Sequence, residues 1–144
     1  MYNLKLSTTE EEILEFERKR MEVFGYNKKL ENLSEGAFTT GIESGDLLAF
    51  RCLQDEKMVG GMLLELDGKN INILRLFVEQ GNREQGAGKF MLDYLVSHQD
   101  YFEDYYATEI KGIVTEPIRC DTDYYSKQGF VHGGTKMYKK YYKK

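Results

Sequence analysis

The sequence has no tryptophan, one proline, two cysteines and two histidines among its 144 residues. Each shortage narrows the possibilities. Cys52 and Cys120, in a chain whose start shows no export signal, are expected to be reduced thiols. His98 and His132 are too few and too scattered to suggest a metal site, so no metal is expected. No apolar run approaches the ~20 residues that a membrane-spanning helix needs. The opening Met1-Tyr2-Asn3-Leu4-Lys5 has neither the apolar core of a signal peptide nor the arginine-rich character of a transit peptide. The expectation is a cytoplasmic protein with no membrane partner.

What is present describes a globular chain. Apolar residues make up 41% and charged residues 31%, ordinary values for a folded domain. No repeat, low-complexity stretch or linker divides it, so residues 1–144 are expected to form a single domain. The net charge of −4 is unevenly placed. The segment Lys136 to Lys144 holds five lysines and no acid. That leaves fifteen cationic against twenty-four acidic residues, a net −9 over residues 1–135. An acidic body lacks the basic face of a nucleic-acid binder, so no nucleic-acid partner is expected. It suits a cationic or amine-bearing substrate, and equally a solvated acidic surface. The lysine tail fits the exposed edge of a final strand.

Periodicity assigns most elements. Tyr2 to Leu6 alternates as a short strand. Ser7-Thr8-Thr9 followed by Glu10-Glu11-Glu12 starts a helix, with a hydroxyl cap and then acids where the helix dipole favours them. Ile13, Phe16, Arg20 and Phe24 continue it at helical spacing to about Gly25. Residues 26–45 suggest a second short helix with loops. Leu47–Gln54 and Met58–Leu66 read as strands around the turn Asp55-Glu56-Lys57. Asp67-Gly68 marks a second hairpin. Asn70–Glu79 is apolar on both faces, as a central strand is. Ala87, Phe90, Met91, Tyr94 and Leu95 then fall on one helical face, and Glu109–Thr115 reads as a strand. Pro117 fits the start of a short helix that stops at Gly129. Phe130 and Thr135–Tyr142 supply the closing strands. The aromatic run Tyr101-Phe102…Tyr105-Tyr106 is read as core packing, with an acceptor site or dimer contact as the alternatives. The order implies a mixed α/β (α+β) domain with a largely antiparallel sheet of six to seven strands and about four helices on its faces.

The chemically informative stretch is Val78-Glu79-Gln80-Gly81-Asn82-Arg83-Glu84-Gln85-Gly86-Ala87-Gly88-Lys89. A buried strand ends, a polar loop follows, and a helix opens on two glycines and an alanine. Free amides at a helix start bind phosphate. Small residues there let the backbone approach an anion, and Arg83 adds a fixed charge. Two other phosphate loops are excluded. A Walker loop needs Lys-Ser or Lys-Thr straight after its second glycine, where Ala87 stands. A dinucleotide fingerprint starting at Gly86 needs glycine where Met91 stands. The alternative is that the small residues only allow close helix–strand packing.

Arg83-x-x-Gly86-x-Gly88 resembles the Arg/Gln-x-x-Gly-x-Gly/Ala signature of the GNAT superfamily of N-acetyltransferases. Val78 stands five residues before the arginine, as an apolar strand end does in that family. Tyr124-Tyr125-Ser126-Lys127-Gln128-Gly129-Phe130 matches its aromatic-Tyr-x-x-x-Gly-Phe pattern, and the hairpin Leu47–Leu66 is also similar. The likeness covers roughly residues 45–142. It implies acetyl-coenzyme A as acyl donor, held by Val78, Arg83, Glu84, Gln85, Gly86, Ala87, Gly88 and Lys89, with Glu84 facing solvent. It implies a sheet splayed at the coenzyme, with the Leu76 amide aimed at the thioester carbonyl and Val78 pairing with the pantetheine arm. Tyr125 becomes the candidate general acid. The acceptor expected is a primary amine of a small molecule or peptide, with the protein a monomer or homodimer.

The departures concern the base. Asn72 occupies the strand position where some members carry a base glutamate, and Gln80 stands where proline is common. The asparagine often found before the final helix is absent, with Ile118 nearest. Glu79, Glu116 or a water chain remain as bases. Cys120 has no His–Asp arrangement to make it a nucleophile. The alternatives to an enzyme are a non-catalytic acyl-coenzyme A-binding domain on the same fold, and a protein-interaction domain whose glycines only aid packing.

Overall fold

A computed structural model describes residues 1–24, 35–81, 86–116 and 122–141, with side chains described for 1–23, 40–81, 86–116 and 124–141. The elements run β1 (Tyr2–Leu6), α1 (Glu10–Phe24), α2 (Glu35–Ser44), β2 (Leu47–Gln54), β3 (Lys57–Asp67), β4 (Asn70–Val78), α3 (Ala87–Ser97), α4 (Gln99–Tyr106), β5 (Gly112–Thr115), α5 (Thr122–Lys127), β6 (Val131–Gly133) and β7 (Lys136–Lys140). The strands form one sheet in the order β1-β2-β3-β4-β5-β7-β6. The β4–β5 pair is parallel and the other pairs are antiparallel. The expected mixed domain with a largely antiparallel sheet is the one found; the described residues give seven strands, within the six to seven expected, and five helices rather than about four.

Helices cover both faces of the sheet. On one face, Met91 and Leu95 of α3 and Phe102 of α4 pack onto Phe50, Met62 and Ile71. On the other, Phe16 of α1 packs onto Ala49, Leu63 and Phe77. β4 therefore buries side chains on both sides, Ile71 and Ile73 on one and Phe77 on the other, as a central strand does.

Local chemistry sets the element ends. The Thr9 hydroxyl accepts from the Glu12 amide (3.1 Å), and the Glu12 carboxylate accepts from the Thr9 amide (3.2 Å). This reciprocal pair is a capping box at the start of α1. The same carboxylate group pairs with Arg51 of β2 (2.8 Å), whose other nitrogen reaches Glu15 (3.1 Å). The amides of Thr8 and Thr9, with Arg51 beside them, hold the Glu12 pKa at about 2 instead of an ordinary 4.5. A carboxyl depressed on folding stabilises the native state fully above its unfolded pKa. That contribution is lost as pH falls from about 4.5 through about 2. Glu12→Gln is therefore expected to lower stability at neutral pH and to flatten the acid limb of a denaturation series in that window. An unchanged acid limb would exclude the assignment.

Three details differ from the periodicity reading. The β2–β3 turn has two residues rather than three: Asp55 (φ 51°) and Glu56 (φ 68°) are both left-handed, and Lys57 pairs with Gln54. That is the primed turn whose twist matches its strands. β5 begins at Gly112 rather than Glu109. The aromatic run Tyr101–Tyr106 lies in a helix, α4, that the pattern does not announce, and Phe102 is its one buried residue. Tertiary bonds hold it: the Tyr105 hydroxyl donates to the Gly45 carbonyl (2.8 Å), and the Glu103 carboxylate accepts from the Ile110 amide (2.8 Å). The opening of the last helix at Pro117 lies outside the described residues.

Candidate active site

The site is built where β4 and β5 part. Their pairing covers Asn70–Ile73 against Gly112–Thr115, and β4 runs on for five residues, Leu74–Val78. A bulge coincides with the fork: the β3 register skips Leu74, passing from Leu64↔Ile73 to Leu63↔Arg75. Bulges re-aim the backbone they interrupt. Beyond it, the Glu79 amide donates to the Val59 carbonyl (2.8 Å). Backbone groups alternate along an antiparallel ladder, so those of Phe77 and Arg75 also turn toward β3. The amides of Leu76 and Val78 turn the other way, into the fork. The Thr115 hydroxyl bonds to the Ile73 carbonyl (3.3 Å) and closes the last shared rung.

α3 starts beside this fork. Gly86 is its N-cap, with φ 94° and ψ 11°. A Cβ there would meet nothing within 4 Å among the described residues. The position favours glycine for its conformation, at the start of a helix whose first-turn amides have no partner within the helix. Ala87 and Gly88 are buried against the sheet. Lys89 points outward and pairs with Asp93 one turn on (2.6 Å). Arg83, Glu84 and Gln85 lie outside the described residues. Small residues at a helix start, with Val78 of β4 close to Gly88, form a set of backbone donors chemically suited to phosphate.

α5 carries two adjacent tyrosines, of which Tyr124 reaches the start of α3. Tyr125 is 5% exposed and stacks edge-on against Phe130 at 5.3 Å and Tyr124 at 5.5 Å. The pattern Tyr-x-x-x-Gly-Phe has a local cause here. Gly129 is left-handed (φ 91°); the Phe130 amide donates to the Tyr125 carbonyl (3.0 Å), and the Gly129 amide to the Ser126 carbonyl (3.1 Å). These two bonds make a Schellman cap, and the Tyr125–Phe130 contact is the apolar pair that accompanies one. Lys139 strengthens the end by donating to the Gln128 carbonyl (2.6 Å). Tyr124 lies on another side of α5. Its hydroxyl is buried, and it sits 2.6 Å from where a Cβ on Gly88 would stand.

The two candidate bases are placed differently. Glu116 is exposed directly after Thr115, at the mouth of the fork. Glu79 follows β4 and receives the Lys19 ammonium at 3.1 Å, which also meets Glu22 at 3.3 Å. Burial opposes the Lys19 charge, but the hydrogen bonds to Glu79 and Glu22 outweigh it and raise its pKa. Glu79, Lys19 and Glu22 line a cleft of about 720 Å³ between α1 and the β2–β3 turn. Sequence reasoning finds Glu79 but not Lys19, 60 residues away on another element.

No family model and no curated protein sequence matches the chain. Solved structures do. The ribosomal-protein-S18-alanine N-acetyltransferase of Escherichia coli superposes with a TM-score of 0.75 at 14% identity, over 100% of this chain and 96% of that one. The fold is that of the GNAT acetyltransferases. A putative GNAT-family acetyltransferase from Desulfovibrio desulfuricans gives a TM-score of 0.69 at 12% identity, covering 97% and 99% of the two chains. The PaiA N-acetyltransferase of Thermoplasma acidophilum, in complex with coenzyme A, gives 0.66 at 17% identity, covering 98% and 99%. The likeness extends over nearly the whole length of both chains in each pair. Among the described residues, no helix is long and apolar enough to cross a membrane.

Proposed function

We propose that this chain is an acetyltransferase that moves an acetyl group from acetyl-coenzyme A to a primary amine of a small molecule or peptide. The observation that carries this reading is the fork itself: β4 continues past β5, with the Leu76 and Val78 amides turned into the gap and α3 opening beside it on Gly86. A GNAT structure of similar fold was solved with coenzyme A. Bound acetyl-coenzyme A would supply the acetyl group as a thioester.

The chain's own groups divide the work. The amides of residues 86–88 and the side chain of Arg83 hold phosphate, with Val78 binding the pantetheine arm. The Leu76 amide is a fixed donor for the oxygen that gains charge during transfer. A free alkylamine, with a pKa near ~10.4, must lose a proton before it attacks. Glu116 is placed at the mouth of the fork to take that proton, directly or through water, whereas Glu79 is engaged by Lys19. Tyr125, its ring fixed by Phe130 and Tyr124, donates a proton to the departing thiolate.

The acidic body, −9 over residues 1–135, favours a cationic acceptor. A panel of amines screened by free-thiol release from acetyl-coenzyme A is expected to give turnover with neutral or cationic amines. Thiol release with anionic acceptors alone would overturn the acceptor class, and release with none would favour a coenzyme-binding domain without catalysis.

A further inference from the structure

We infer that Tyr124 is a second functional tyrosine of this site, its hydroxyl donating a hydrogen bond to the phosphate end of the bound coenzyme, and that position 88 is glycine to admit it. The inference rests on the coenzyme reading above and adds a residue that the reading does not require.

Three placements support it. A Cβ built on Gly88 would lie 2.6 Å from the Tyr124 hydroxyl oxygen, 3.3 Å from the ring carbon bearing it and 3.9 Å from a methyl of Val78. One point therefore gathers the first turn of α3, the end of β4 beyond its pairing with β5, and α5. Gly88 lies in the first turn of α3, so a hydroxyl 2.6 Å from its Cβ position sits beside that turn, whose amides are the proposed phosphate donors. Lastly, both tyrosines of α5 pack against the core, but unequally. Tyr125 makes the Schellman contact with Phe130 and lies in the core at 5% exposure, whereas Tyr124 is only partly buried. A phenylalanine would fill the ring space equally well. The hydroxyl adds a donor at the one end of the ring that faces the helix start.

The test is binding of coenzyme A to the full chain and to Tyr124→Phe, Gly88→Ala and the double variant. Tyr124→Phe is expected to melt within a few degrees of the parent without ligand. Its Kd for coenzyme A should rise about tenfold or more, the scale of one hydrogen bond to a charged group. Its KM for acetyl-coenzyme A should rise likewise, while kcat at saturating donor holds. Gly88→Ala should lower the melting temperature, because its methyl meets the hydroxyl. Adding Tyr124→Phe should recover most of that loss in Tm, and none of the loss in affinity. Equal Kd for the parent and Tyr124→Phe would overturn the inference and leave the coenzyme reading standing. No binding of coenzyme A by the parent would overturn both.

Discussion

Tyr125→Phe is expected to fold, to bind coenzyme A as the parent does, and to turn over roughly ten to ten thousand times more slowly, the range for loss of a general acid. The substitution keeps the ring that stacks on Phe130 at 5.3 Å, so the cap of α5 around Gly129 survives. Only the hydroxyl is removed. A coenzyme thiol, with a pKa of about 8.5, is a better leaving group when a proton arrives with it. The effect should therefore appear in kcat at saturating amine and donor, not in KM for the donor. Tyr124→Phe should show the opposite division. Full activity in Tyr125→Phe would confine that residue to packing.

Gly86→Val should do greater damage to binding. The residue has φ 94°, a region that a β-branched side chain scarcely enters, and it caps α3. Leaving that conformation re-aims the first turn of the helix, and keeping it costs about 1–2 kcal/mol of strain. In either case a branched side chain stands at the start of the helix whose first-turn amides are proposed to hold the phosphate. Loss of one or more charged hydrogen bonds predicts a rise in the Kd for coenzyme A of about ten- to a hundredfold or beyond. Gly68→Val supplies the control, since Gly68 is also left-handed (φ 62°) with nothing near its Cβ position, but lies in the β3–β4 turn. It should cost similar stability and leave coenzyme affinity untouched. If Gly86→Val binds normally while folded, the small residues serve only helix–strand packing.

Much of this architecture is legible because its causes are local. Thr9 and Glu12 announce α1 through a bond spanning three residues, and alternation sets β2 and β3. Gly86 marks the start of α3 through a conformation that other residues avoid. One feature of the site is local as well but carries a second meaning: Tyr125, Gly129 and Phe130 form a helix cap, which the sequence pattern does not separate from a catalytic role. The remainder depends on contacts between distant positions. Lys19 meets Glu79 across 60 residues, and Tyr124 meets Gly88 across α5 and α3. No periodicity encodes such meetings. α4 escapes for a related reason, since the bonds that hold it, Tyr105 to Gly45 and Ile110 to Glu103, are tertiary. Arg83, which the motif singles out, falls on residues 82–85, outside the described structure.

The central claim is that the fork between β4 and β5 and the start of α3 bind acetyl-coenzyme A. Thermal unfolding of the full chain with and without that ligand tests it most directly. At a hundredfold excess over Kd, binding to the native state alone stabilises by about 2.7 kcal/mol. For a domain of this size that is an increase in Tm of roughly 5–10 °C. Such a shift is expected in the parent, and a much smaller one in Gly86→Val at the same ligand concentration. An unmoved Tm in the parent at saturating acetyl-coenzyme A would contradict it.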